Sequence, residues 1–97
     1  MTFGLPANAI AGIKAVFGGH PNVQRVVVFG SRALGTHKPN SDIDLAVQGP
    51  VDYSELATIL GELDELPLPW RFDVIALALL RDAAVRAHIE LHGVVLV

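Results

Sequence analysis

The chain has 97 residues, no cysteine, 52% apolar residues and a formal net charge of −3. That length suits one domain over 1–97 with a core of its own, and the composition excludes a disordered chain, a disulfide scaffold and a thiolate metal site. The mild acidity excludes the basic footprint of a duplex-DNA binder, so no direct nucleic-acid binding is expected. No apolar run approaches the ~18 residues of a membrane span, and no basic residue precedes Lys14; neither a span nor a signal peptide is expected, and the cytoplasm is the simplest location.

In chain order, residues 6–18 read as a helix. Pro6 suits the first turn, where its missing N–H costs nothing. Ala9, Ile10, Ile13, Val16 and Phe17 form one apolar stripe, and Gly18-Gly19 stop it. Val23 to Phe29 reads as a strand whose continuous run Val26-Val27-Val28-Phe29 predicts burial on both faces. Gly30 ends it, and Ser31 to Leu34 reads as a short helical turn. Asp42 to Val47 is a second strand, with Ile43, Leu45 and Val47 alternating against Asp42, Asp44 and Ala46. Asp52 to Glu65 is a helix opened by a capping pair, Asp52 and Glu55, with Tyr53, Leu56, Leu60 and Leu63 as its apolar seam. Pro67 and Pro69 forbid its continuation.

Trp70 to Ala78 reads as a third strand. Leu80 to His92 reads as a third long helix facing inward through Ala84, Val85, Ile89 and Leu91, and Gly93 stops it. Val94 to Val97 adds an edge strand. This order predicts an α+β fold with helices packed on one mixed sheet.

The chemistry lies between Phe29 and Val47. Asp42 and Asp44 stand two apart on a strand, so both point to one face with Cβ atoms about 6–7 Å apart. Two like charges on an otherwise apolar strand are costly without a partner, and the natural partner is a hard divalent cation such as Mg²⁺, which takes one or two carboxylates plus substrate phosphates. Gly30-Ser31 place a glycine and a hydroxyl between a strand and a helical turn, a small anion cradle suited to triphosphate oxygens. Asp73 is an acid inside a strand; it completes a carboxylate triad if that strand neighbours the second one.

Two tempting motifs fail. Gly30-x4-Gly35 is followed by Thr36, not the lysine of a P-loop. His88 and His92 stand four apart, but Glu90 is not adjacent to His88 as a metalloprotease requires, and both read as solvent-facing or interface residues. His20 and His37 sit in turns.

Gly30-Ser31, ten intervening residues and Asp42-Ile43-Asp44 match the Gly-Ser-x10-Asp-x-Asp signature of DNA polymerase beta-like nucleotidyltransferases. The chain resembles their minimal nucleotidyltransferase (MNT) family from about Ala7 to Val97. The resemblance implies a polymerase beta-like fold, a two-ion Mg²⁺ site at Asp42, Asp44 and Asp73, and ATP held at Gly30 and Ser31, with Arg32 and Lys38 as further candidates for phosphate. It implies an antitoxin paired with a HEPN-domain ribonuclease toxin, acting by transfer of AMP from ATP to a tyrosine of that toxin. The alternatives are a non-catalytic antitoxin that neutralises its toxin by complex formation, and a small-molecule nucleotidyltransferase of the aminoglycoside-modifying type. One departure is visible: many relatives read Gly-Ser-Arg-Ala-Arg-Gly, and this chain has Leu34 at the second arginine. Setting aside Asp42, Asp44 and Asp73, the chain balances at seven acids and seven bases.

Overall fold

The computed structural model describes residues 3–97. It has the element order α1 (Ala7–Gly18), β1 (Arg25–Phe29), α2 (Ser31–Leu34), β2 (Ile43–Gln48), α3 (Tyr53–Asp64), β3 (Phe72–Ala76), a 3-10 turn (Leu77–Leu79), α4 (Ala83–His92) and β4 (Val94–Val95). The four strands form one mixed sheet in the order β3-β2-β1-β4, with β1 antiparallel to β2 and β4, and β2 parallel to β3. Among the described residues, no helix is long and apolar enough to cross a membrane.

The sheet is covered on both faces, as the unbroken apolar run of β1 requires. On one face Val26, Val28, Ile43, Leu45, Val47, Val74 and Ala76 pack with Ala9, Ile13 and Phe17 of α1 and with Ile59 and Leu63 of α3. On the other, Val27, Phe29 and Ala46 pack under Ile89 of α4. Alternation along β2 and β3 therefore assigns Asp44 and Asp73 to the α4 side of the sheet.

Several expectations need correction. Pro6 is the residue before the helix, not its first turn; its carbonyl accepts from the N–H groups of Ala9 and Ile10. Tyr53 does not join the α3 seam. It opens the helix at 72% exposure, and the buried positions are Ile59 and Leu63. The third strand ends at Ala76, where the chain tightens into the 3-10 turn, and α4 begins only at Ala83. Its start is set by Asp82, whose Oδ1 accepts from the N–H groups of Ala84 and Val85. An uncapped reading of the sequence therefore began the helix three residues early. Leu91 and Ala84 are exposed; of the four inward candidates only Ile89 is buried and Val85 half-buried. Arg86 turns back to donate to the carbonyls of Leu77 and Leu80, tying α4 to the end of β3.

One polar network holds α1 to α3. His20, just past α1, is buried; its Nδ1 lies 3.0 Å from Glu55 Oε2, and its Nε2 contacts Glu62 Oε1. Asn22 Nδ2 also donates to Glu55, at 3.0 Å. The Glu62 contact, and then that of Glu55, hold the imidazole above its ordinary 6.5, against the opposing effect of burial. Asn22 and then His20 hold the Glu55 carboxyl below its ordinary 4.5. A raised histidine stabilises fully below its unfolded pKa and loses this as pH rises through the folded value; a depressed glutamate does so above its unfolded pKa and loses it as pH falls. The network is therefore strongest between the two ordinary values and weakens above neutrality. We expect His20→Gln to lower the thermal midpoint most at about pH 5.5, and the gap to wild type to shrink by about pH 8.5. Parallel melting curves at both pH values check this, and an equal gap at both contradicts it.

Candidate active site

The site follows from strand direction. Because β1 and β2 are antiparallel, the end of β1 meets the start of β2, and Phe29 pairs with Asp44. Because β2 and β3 are parallel, their starts lie side by side, and Asp44 pairs with Asp73. Phe29, Asp44 and Asp73 thus form one row across three strands, with neighbours about 4.8 Å apart. Gly30-Ser31 follow Phe29 directly, and Asp42 immediately precedes β2. The ten residues after Ser31 are the return path of this antiparallel connection, which explains why the spacing joins a turn to a carboxylate pair.

Gly30 adopts φ 72° and ψ −153°, a region essentially open only to glycine. A Cβ there would run into Asp44 Oδ2, so the glycine brings bare backbone against the carboxylate. Ser31 then opens α2 and is half-buried. The turn closes at Gly35, which is left-handed at φ 77°; Leu34 donates to the carbonyl of Gly30 and Thr36 to that of Ser31.

Asp42 and Asp73 are exposed and Asp44 is half-buried. Burial, then the charges of Asp73 and Asp42, hold the Asp44 carboxyl above its ordinary 3.8, with the Arg32 guanidinium opposing them. The site is a negatively charged cluster of hard oxygen donors, the chemistry that suits Mg²⁺. Among the described residues no three acid or histidine side chains converge closely enough to enclose an ion alone. The donor set fits an ion that completes its shell with water and substrate phosphate, not an all-protein cage. No ion pair within 4 Å ties Asp73 to Arg71 or Arg25 among the described residues; the pairs found there are those of His20.

The structure places the two candidate cations differently. Lys38 is exposed on the loop before β2, with its backbone N–H donating to Ser41 Oγ. Arg32, expected beside phosphate, is 1% exposed. Its donors go to backbone carbonyls: Nη1 to Phe3 at 2.9 Å, Nη2 to Ser41 at 2.9 Å and to Pro39 at 3.4 Å, and Nε to Ser41 at 3.1 Å. A guanidinium so engaged offers no free fork to a triphosphate. Burial lowers its pKa while the Asp44 charge opposes the shift; it remains a cation at any ordinary pH. Leu34, at the position of the relatives' second arginine, is 48% exposed. His37 is half-buried, packed against Gly4, and its Nδ1 has no hydrogen-bond partner among the described residues.

Sequence reasoning missed the Arg32 cluster and the His20 network. An arginine after Gly-Ser reads as a surface cation, and a histidine after Gly-Gly reads as a turn residue. Only Trp70, an aromatic ahead of a strand, offered a place for the guanidinium to stack.

Comparison with known proteins agrees with this geometry. A chain in the crystal structure of a toxin–antitoxin with AMP-PNP superposes with a TM-score of 0.76 at 24% identity, covering 91% of this chain and 72% of that one. A chain of the toxin–antitoxin MntA–HpeT carrying a tyrosine-to-alanine substitution gives 0.72 at 26% identity, with 94% and 71% covered. A structure of the tri-AMPylated Shewanella oneidensis HEPN toxin in complex with MNT antitoxin gives 0.70 at 19% identity, with 93% and 70% covered. No curated protein sequence matches. Residues 11–97 match the family described as polymerase beta, nucleotidyltransferase. With the Gly30-Ser31 turn set against Asp44 and Asp73 in one row, and the family's sequence pattern running through nearly the whole chain, this protein belongs to the polymerase beta nucleotidyltransferase family.

Proposed function

We propose that this chain is the nucleotidyltransferase antitoxin of a HEPN/MNT toxin–antitoxin pair, transferring AMP from ATP to a tyrosine hydroxyl of its HEPN partner with Mg²⁺ bound at Asp42, Asp44 and Asp73. The observation that carries this reading is the meeting of Gly30 with Asp44, beside Asp73, at one end of the sheet. Support for the partner comes from the fold shared with toxin–antitoxin complexes, one with an ATP analogue and one with an AMPylated HEPN toxin.

In this reading the bare backbone at Gly30 and the hydroxyl of Ser31 receive the triphosphate, and Lys38 reaches its outer oxygens. Asp42 and Asp44 would hold Mg²⁺ for the triphosphate, and with Asp73 they would hold a second ion for the acceptor. Bound Mg²⁺ supplies charge neutralisation at phosphorus and lowers the pKa of the attacking hydroxyl. Asp73, exposed and next to Asp44, takes the proton of that hydroxyl. The acceptor oxygen bonds to the α-phosphorus, the bond to the bridging oxygen breaks, and pyrophosphate leaves. Positioning and electrostatics do most of this chemistry.

The test is direct. Incubating the chain with the product of the neighbouring gene, Mg²⁺ and ATP, then weighing the partner intact, is expected to reveal added AMP units. These additions disappear with Asp42→Ala/Asp44→Ala. An unmodified partner that is nevertheless inhibited would establish the non-catalytic antitoxin instead.

A further inference from the structure

Among the described residues Arg32 is the one buried arginine or lysine, and the reaction outlined above does not use it. Arginine is almost never fully buried without a partner, yet no carboxylate pairs with it within 4 Å among the described residues. Three backbone carbonyls surround it instead, from two separate places in the chain. Phe3 lies in the turn before α1. Pro39 lies in the loop before β2. Ser41 is the residue that precedes Asp42, and its carbonyl receives two of the guanidinium's bonds.

A fourth contact extends this grouping to β3. The Arg32 Cζ stands 5.5 Å from the centre of the Trp70 ring, within the ~6 Å range of a cation–π contact. Trp70 Nε1 donates to the same Pro39 carbonyl at 2.7 Å. Beyond Trp70, the Arg71 carbonyl accepts from Ile43 N–H at 2.9 Å, so residues 39–43 and 70–71 are joined twice over. Arg32 itself belongs to α2, one residue after Ser31.

We propose that Arg32 is a positioning residue: through Ser41, Pro39 and Trp70 it locks the chain entering Asp42 and the chain entering Asp73 onto the helical turn that carries Gly30 and Ser31. Strand pairing sets Phe29 beside Asp44 but does not restrain the loop from Gly35 to Asp42, and the guanidinium holds the end of that loop at Pro39 and Ser41. Its planar fork suits the task, because Nε and Nη2 both reach one carbonyl while Nη1 reaches another. A lysine ammonium is a single point of charge and cannot hold all three. The proposal takes Gly30, Ser31 and the three aspartates as the site, as the functional reading does.

Hydrogen exchange of the free protein tests the clamp without nucleotide, metal or acceptor. Arg32→Met and Arg32→Lys are each expected to speed amide exchange about tenfold or more in residues 36–44, because hydrogen bonds to a charged group are lost, while β1 and α3 keep wild-type protection. Trp70→Phe keeps an aromatic ring and removes the bond to Pro39. It is expected to speed the same segment by a few-fold, about what one neutral hydrogen bond supports, and it serves if the Arg32 variants do not fold. Unchanged exchange in 36–44, or uniformly faster exchange over the whole chain, overturns the proposal. A binding arm adds the site: affinity for Mn²⁺ with AMP-PNP falls about tenfold or more in Arg32→Lys, whereas AMP-PNP without metal binds as in wild type. An arginine that held phosphate would lose metal-free affinity, with recovery by lysine. If wild type binds neither form, the functional reading fails while the exchange arm still decides the role of Arg32.

Discussion

Asp44→Asn is expected to abolish transfer and yet to give a more stable protein when no metal is present. In the proposed reaction, losing a carboxylate that holds the ion removes several kcal/mol of transition-state stabilisation, on the order of a thousandfold or more in rate. The stability gain has a separate origin. Folding raises the Asp44 pKa above 3.8, chiefly by burial and then by the charges of Asp73 and Asp42. A carboxyl raised in the folded state opposes folding once it ionises, and this cost develops as pH rises from the unfolded value through the folded one. Asparagine never carries that charge. The variant's thermal midpoint is therefore expected to exceed wild type at neutral pH in EDTA and to match it near pH 3, where both side chains are neutral. Saturating Mg²⁺ with nucleotide reverses the order, because ligand that binds only the folded state stabilises it by mass action, and the variant has lost the site. Differential scanning calorimetry in EDTA and in Mg²⁺ with AMP-PNP checks both halves; a variant less stable than wild type in EDTA would show that Asp44 is not electrostatically strained.

Gly30→Ala is the second large effect, and it acts on fold and site together. The backbone at φ 72° and ψ −153° costs a side-chain-bearing residue about 1–3 kcal/mol, and the new Cβ meets Asp44 Oδ2. The carboxylate end of Asp44 can swing away, which relieves the collision but displaces a ligand. Transfer is expected to fall on the order of a hundredfold, the scale that follows a displacement of about 1 Å. Pairing Gly30→Ala with Asp44→Gly separates the two causes. The backbone penalty persists in the double variant and the collision does not, so the stability losses are expected to be less than additive. Strict additivity, measured by denaturant midpoints, would show that the two groups do not touch.

The parts of this protein that were legible in the sequence are those governed by local pattern. β1 announced itself through an unbroken β-branched run, β2 through its alternation, and α3 through its Asp52 cap, whose Oδ1 does accept from Glu55 N–H at 2.8 Å. The pair Gly30-Ser31 and Asp42-Asp44 was visible because a single antiparallel return joins them. The position of Asp73 beside Asp44 depended on a parallel pairing that only the crossover through α3 could create. The surroundings of Arg32 were not legible because its partners are carbonyls, which leave no mark on side-chain pattern. Tyr53 was misplaced because its position satisfied the helical period while lying on the first turn, ahead of the packed stretch. His20 was passed over because Glu55 and Glu62 reach it from a helix distant in sequence.

The sheet order carries a consequence for how the site comes into being. β1 and β2 form a hairpin, so Gly30 and the Asp42–Asp44 pair can meet as soon as that local pairing closes. Asp73 arrives only after the chain has travelled through all of α3 and laid β3 along the outer side of β2. Closing that longer loop costs more chain entropy and comes later in folding. A nascent chain would thus pass through a stage with a phosphate cradle and two acids but no third, in which a nucleotide could be met and no hydroxyl deprotonated. In the proposed reaction competence then waits on β3, which lies on the rim of the sheet, and the fraying of β3 would remove it first.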